Sequence, residues 1–138
     1  MGSTGATGST GATGQKGDTG DSGAAVSRAI PTANTITSLD TGGNVGSFPS
    51  VTIGADGLGL ISYYDDTNTA LKVAHCSNTA CTATTTTILD SNGDVGRYAS
   101  VTIGADGLGL ISYFDVNNQA LQVLHCENVF CAPYFRRR

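Results

Sequence analysis

The chain has 138 residues, no Trp and a formal net charge of −4 at pH 7, a balance that argues against nucleic acid as the main partner. Residues 1–25 hold no aromatic and almost no large apolar side chain, so that segment cannot form a packed core. No run of 18 apolar residues occurs, so no membrane-spanning helix is expected.

The first residues lack a basic stretch followed by an apolar one, so no secretory signal is expected in this chain. Two routes stay open: a leader already removed, or assembly in the cytoplasm as for a phage particle or a spore coat. Glycine then falls at Gly2, Gly5, Gly8, Gly11, Gly14, Gly17, Gly20 and Gly23. An unbroken three-residue period is what a collagen-like triple helix demands, because only glycine fits at the crowded axis. A flexible Gly/Ser/Thr linker would not keep that register. Residues 1–25 therefore read as a stalk, roughly 75 Å long at about 3 Å per residue. The triplets contain no proline, so the stalk is expected to need a trimeric head to hold it. Lys16 and Asp18 fall at positions that meet between staggered chains, an exposed ion pair worth only about 0–1 kcal/mol. The outward threonines of the triplets are polar and solvated, or carry sugars.

After a linker at 26–34 the sequence repeats itself. The string from Ser50 to Tyr63 recurs unchanged from Ser100 to Tyr113, and the same offset of 50 relates Leu39-Asp40 to Leu89-Asp90, His75-Cys76 to His125-Cys126 and Cys81 to Cys131. Each repeat reads as four short strands: Ser50–Ile53, Gly59–Tyr64, Ala70–Cys76 and Thr82–Leu89, separated by turn residues such as Asp56-Gly57. The last strand is dense in Thr, whose stiff side chain favours extended backbone. No window shows a helical period.

Four antiparallel strands repeating at this length suggest a β-propeller blade. The strings Ser-Val-Thr-Ile-Gly-Ala-Asp-Gly and Ile-Ser-Tyr-Tyr-Asp resemble blades of sialidase-like bacterial propellers, over Thr35–Cys131. That resemblance implies architecture and no activity: Glu127 is the only Glu, and only Arg28 and Arg97 precede the tail, so the sialidase catalytic set does not carry over. In layout the chain also resembles bacterial and phage proteins in which a short collagen-like stalk bears a trimeric C-terminal head.

The fold class expected is fibrous plus all-β: a collagen-like triple helix followed by two four-stranded propeller blades per chain. Two blades cannot close a ring, but three chains supply six. Thr35–Asp40 resembles an outer strand, and the second repeat has none of its own, so the N-terminal strand of one chain is expected to complete the last blade of its neighbour and leave no open edge. A single-chain barrel or sandwich is the alternative. Sugar-binding propellers built from three two-bladed chains are a precedent for this geometry.

Cys76 and Cys81, and Cys126 and Cys131, occupy equivalent loops and are expected to form two local disulfides, the alternatives being buried thiols or a metal site. His75 and His125 adjoin a cysteine but point to the opposite sheet face, and read as packed histidines with one hydrogen-bond partner each. Asp56, Asp65, Asp66, Asp106 and Asp115 read as turn residues, with a Ca²⁺ role as the sharper alternative. No catalytic triad, carboxylate pair or phosphate loop can be defended, so neither catalysis nor a cofactor is expected.

The tail at 132–138 follows Phe130 with Pro133, Tyr134, Phe135 and Arg136-Arg137-Arg138. Aromatics at that density mark interfaces, and Arg suits pairing with carboxylates. Phe130, Tyr134, Phe135 and Arg136 are therefore expected at inter-chain contacts, with head-to-tail stacking of trimers into a filament. The plainer reading is a frayed basic end. The function expected is a structural or adhesive homotrimer on an extracellular surface, a cell surface or a virion. The alternative is a lectin for a cell-surface glycan, in which Tyr64, Tyr98, Phe114 and Tyr134 take the place of the missing Trp.

Overall fold

The computed structural model describes residues 34–133, and the chain divides into two units at Ile36/Thr37. The stalk glycines, Lys16, Asp18, Tyr134, Phe135 and Arg136 lie outside the described residues. The unit that begins at Thr37 is all-β, with no helix among the described residues. In it β1 (Val45–Ile53), β2 (Gly59–Asp65), β3 (Ala70–Cys76) and β4 (Thr84–Asp90) form one antiparallel meander, followed by β5 (Val95–Ile103), β6 (Gly109–Asp115) and β7 (Ala120–His125) as a second.

Local chemistry sets the hairpins. Between β1 and β2 the Gly54 N–H donates to the Leu58 carbonyl at 2.8 Å, and Asp56 accepts from the Leu58 N–H at 3.1 Å. The same contacts recur at Gly104, Asp106 and Leu108. Between β2 and β3, Asp65 accepts from both the backbone and the side-chain amide of Asn68 at 2.9 and 2.8 Å, and Asp115 with Asn118 repeats the arrangement. These aspartates close the turns from within, because a short carboxylate reaches a backbone N–H two or three residues on.

The sheets lie face to face. Leu60, Leu71 and Val73 of the first meet Val95, Ala99, Val101, Ile111 and Tyr113 of the second, with Cys126 and Cys131 at one end. At about 1.5–3 kcal/mol per fully buried large aliphatic side chain, this layer is the main source of cohesion. Polar contacts cross it as well: among them the Val95 N–H donates to the Thr69 carbonyl at 3.2 Å and the Val101 N–H to Ser50 Oγ at 3.1 Å.

Strand limits differ from the sequence reading at several points. β1 starts at Val45 rather than Ser50 because the chain stays paired through a bulge between Ser47 and Ser50. Its Phe48 holds φ of 52°, and Tyr98 holds 57° at the matching bulge of β5. β4 spans Thr84–Asp90 rather than Thr82–Leu89, because Thr82 is held back by hydrogen bonds to Asn78. Thr35–Asp40 forms no strand in the single chain.

Candidate functional site

Alternation along β3 puts Leu71, Val73 and His75 on one face of the first sheet, with Tyr64, Ser62 and Leu60 opposite them on β2. Lys72, Ala74, Tyr63 and Ile61 take the other face, where Val51 pairs with Ile61. The second sheet covers the Leu71 face of the first. Position for position, its own equivalent face is bare: Leu71 and Val73 are 0 % exposed, Leu121 and Val123 80 % and 60 %. The reverse holds on the other side, where Val101 is 7 % exposed but Val51 is 65 %. One chain thus presents a bare Leu121 face and, on the other side, an exposed Val51 and Ile53 beside the buried Tyr63 and Ala74, and the junction between its sheets shows what each kind of face packs against.

On the same side of the sheet as Ile61 lies an open, mostly apolar pocket of about 220 Å³, lined by Leu39, Val45, Pro49 and Ile61 among others. Its counterpart in the second sheet is the surface against which Leu71 and Val73 pack. The unpaired edge of β7 adjoins the bare Leu121 face; in the first sheet the same edge, on β3, is paired by β4.

Tyrosine–aspartate pairs tie the segments together. Tyr63 donates to Asp40 at 2.7 Å, Tyr113 to Asp90 at 2.7 Å and Tyr64 to Asp94 at 2.6 Å. Burial first, and then the neighbouring carboxylate, pushes each phenol above its ordinary range, so all three stay protonated donors. The Lys72 ammonium and then the Gly42 N–H bond to Asp40 and hold its carboxyl down to about 2. Neither group is poised to exchange a proton near neutrality, and the arrangement is one of fixation.

An aromatic cluster forms at the first-strand bulges. Phe48 and Tyr98 have ring centroids 4.4 Å apart, Tyr64 stands 6.3 Å from Phe48, and the Arg97 guanidinium lies 5.2 Å over the Tyr64 ring. Phe48 and Tyr98 are exposed. The sequence reading brought forward Tyr64 and Tyr98 but missed Phe48, although the offset of 50 from Tyr98 marks it. Phe114, named with them, occupies the bare Leu121 face.

Both cysteine pairs, Cys76–Cys81 and Cys126–Cys131, are disulfide-bonded, and no described cysteine is free. His75 bonds Asp56 through Nε2 at 2.7 Å and is buried; His125 bonds Asp106 in the same way at 2.6 Å but is half exposed. Phe130 is about half exposed, and its ring meets His75 of its own chain edge-on, centroids 4.8 Å apart. No group of three or more His, Cys, Asp or Glu able to hold a metal occurs among the described residues. Pairs of local disulfides belong to an oxidising compartment.

No family model matches the chain, and no curated protein or solved structure matches it either.

Proposed function

We propose that this chain is a structural and adhesive homotrimer, with residues 1–25 as a collagen-like stalk and two sialidase-like propeller blades per chain contributing to a six-bladed head. It belongs on an extracellular surface, a cell surface or a virion, and it is not an enzyme. The observation that carries the reading is a pair of exposed apolar positions, Val51 and Leu121. Val51 and Leu121 occupy positions whose counterparts, Val101 and Leu71, are packed together inside the same chain. A head-to-tail contact between copies that repeats the internal one would bury both, and such a contact either closes into a ring or runs on as a filament. The triplet glycines call for three chains, and three chains supply six blades, within the range in which propellers close. Thr35–Asp40 would then complete the neighbour's second sheet as its fourth strand.

Light scattering on the purified chain tests this directly. A mass near three times 14.0 kDa is expected, and electron micrographs should show a disc of six blades on a thin stalk. A monodisperse monomer removes the reading.

A second reading, glycan binding, is favoured by one observation: Phe48 and Tyr98 are exposed, adjacent and held at positive φ on bulges. Bulky residues at such angles are costly and collect at functional sites, and stacked aromatic faces beside the Asp94–Arg97 pair suit a sugar ring. A glycan array separates the two readings.

A further inference from the structure

The offset of 50 fixes which side chains would meet at a seam between two chains, since each residue of the bare Leu121 face has a counterpart whose contacts are known. Inside the chain, Tyr64 donates to Asp94 and lies under Arg97. At a seam between chains these positions become Phe114 on one side and Asn44 and Ser47 on the other. The hydroxyl, its carboxylate and the cation disappear together, so no buried charge is left without a partner.

One position breaks that compensation. Phe130 caps the His75–Asp56 pair, its ring at 71° to the imidazole. Its counterpart fifty residues earlier is Ala80. The two loops are otherwise alike: each is closed by a disulfide, and Cys81 and Cys131 donate to the carbonyls of Asn78 and Asn128 at 3.1 Å. The methyl of Ala80 therefore stands where the β-carbon of Phe130 stands. Yet the dyad beneath is kept, His125 with Asp106 at 2.6 Å.

We propose that each seam between protomers carries a ring-sized notch, floored by His125 and Asp106 and edged by Ala80 of the neighbouring chain, which receives an aromatic side chain of a partner polypeptide. The proposal rests on the ring described above. The chain itself displays the occupant, because Phe130 on His75 is an aromatic ring set edge-on against an imidazole already fixed by a carboxylate, a favoured arrangement. Three such notches around a trimer would let a repetitive or trimeric partner bind at several points at once.

The test uses the full chain and p-cresol as the probe, with calorimetric titration and sedimentation run in parallel. Trimeric protein is expected to bind one p-cresol per protomer. Ala80→Phe is expected to stay trimeric and to bind about tenfold more weakly or not at all, whereas Phe130→Ala should gain a second site per protomer over His75. Trimers that bind no p-cresol, or Ala80→Phe trimers that bind it as before, overturn the notch and leave the ring standing. A monomeric protein, binding or not, overturns both.

Discussion

Tyr63 donates to Asp40 at 2.7 Å as Tyr113 donates to Asp90 at 2.7 Å. Asp90 is the last residue of β4 and pairs with Leu71 across the first sheet. Asp40 therefore stands where the last residue of an outer strand stands, but with no sheet of its own to belong to. The contact places Asp40 against Tyr63 as Asp90 is placed against Tyr113, which is the position the proposed completion of a neighbour's sheet requires.

Asp40→Asn should lower the stability of the head by about 1.5–3 kcal/mol, the range for hydrogen bonds to charged groups. Lys72 donates to this carboxylate from a mostly buried position and is left partly uncompensated by the change. The folded value of about 2 lies below the ordinary 3.8. Its contribution is thus complete above that ordinary value and is lost as pH falls toward 2. Thermal melts between pH 5 and pH 2 should therefore show wild type and Asp40→Asn converging at the acid end; a constant gap sinks this assignment.

The proposed strand exchange implies a register that can be trapped. Val73 pairs with Thr87 in the first sheet, so in the proposed exchange an offset of 50 would bring Val123 beside Thr37 of the neighbouring chain. A Thr37→Cys, Val123→Cys double variant should yield disulfide-linked ladders up to trimer on a non-reducing gel. Val73→Cys with Thr87→Cys serves as the intra-chain control, since paired strand positions lie within disulfide reach. A control that closes beside a test pair that forms no ladder rules out the exchange.

Removing Cys81 by Cys81→Ser with Cys76→Ser opens a six-residue loop and should cost about 2 kcal/mol in the chain-entropy model. The second pair should cost more, because Cys126 and Cys131 belong to the core between the sheets. Denaturant titration of the two double variants measures the difference, and equal losses would mean that the core contact contributes nothing.

The legible part of this fold is what repetition and local chemistry dictate. The offset of 50, the Asp-Gly turn and the spacing of the cysteines located six strand cores and both disulfides. What escaped were relations set only in three dimensions. The positive φ at Phe48 and Tyr98 extends β1 and β5 through bulges and carries no residue signal, since both are bulky aromatics. Tyr64 and Asp94 are 30 residues apart, and nothing in either neighbourhood announces the other. Phe130 is exposed, as an aromatic of the tail was expected to be, but its contact with His75 was not legible, because His75 lies a whole repeat away.

Gly46 and Gly96 supply the most discriminating test, since they share a backbone conformation and differ in what they face. Both hold positive φ, 98° and 104°, so alanine at either costs the same local strain, about 1–2 kcal/mol. At Gly96 a β-carbon would come within 2.6 Å of the Cα of Leu71, whereas at Gly46 it would meet nothing within 4 Å. Gly96→Ala should therefore force the two sheets of one chain apart and destabilise the head by several times the strain alone. Gly46→Ala should leave the folding of an isolated chain almost intact. If Leu121 of a neighbour packs over Gly46 as Leu71 packs over Gly96, however, the same methyl blocks association. The expected result for Gly46→Ala is a folded head, normal by circular dichroism, that sediments as a monomer once residues 1–25 are removed. If that shortened variant sediments as a trimer indistinguishable from the shortened wild type, nothing approaches Gly46 in the assembly, and the Leu121 face must be covered in another way.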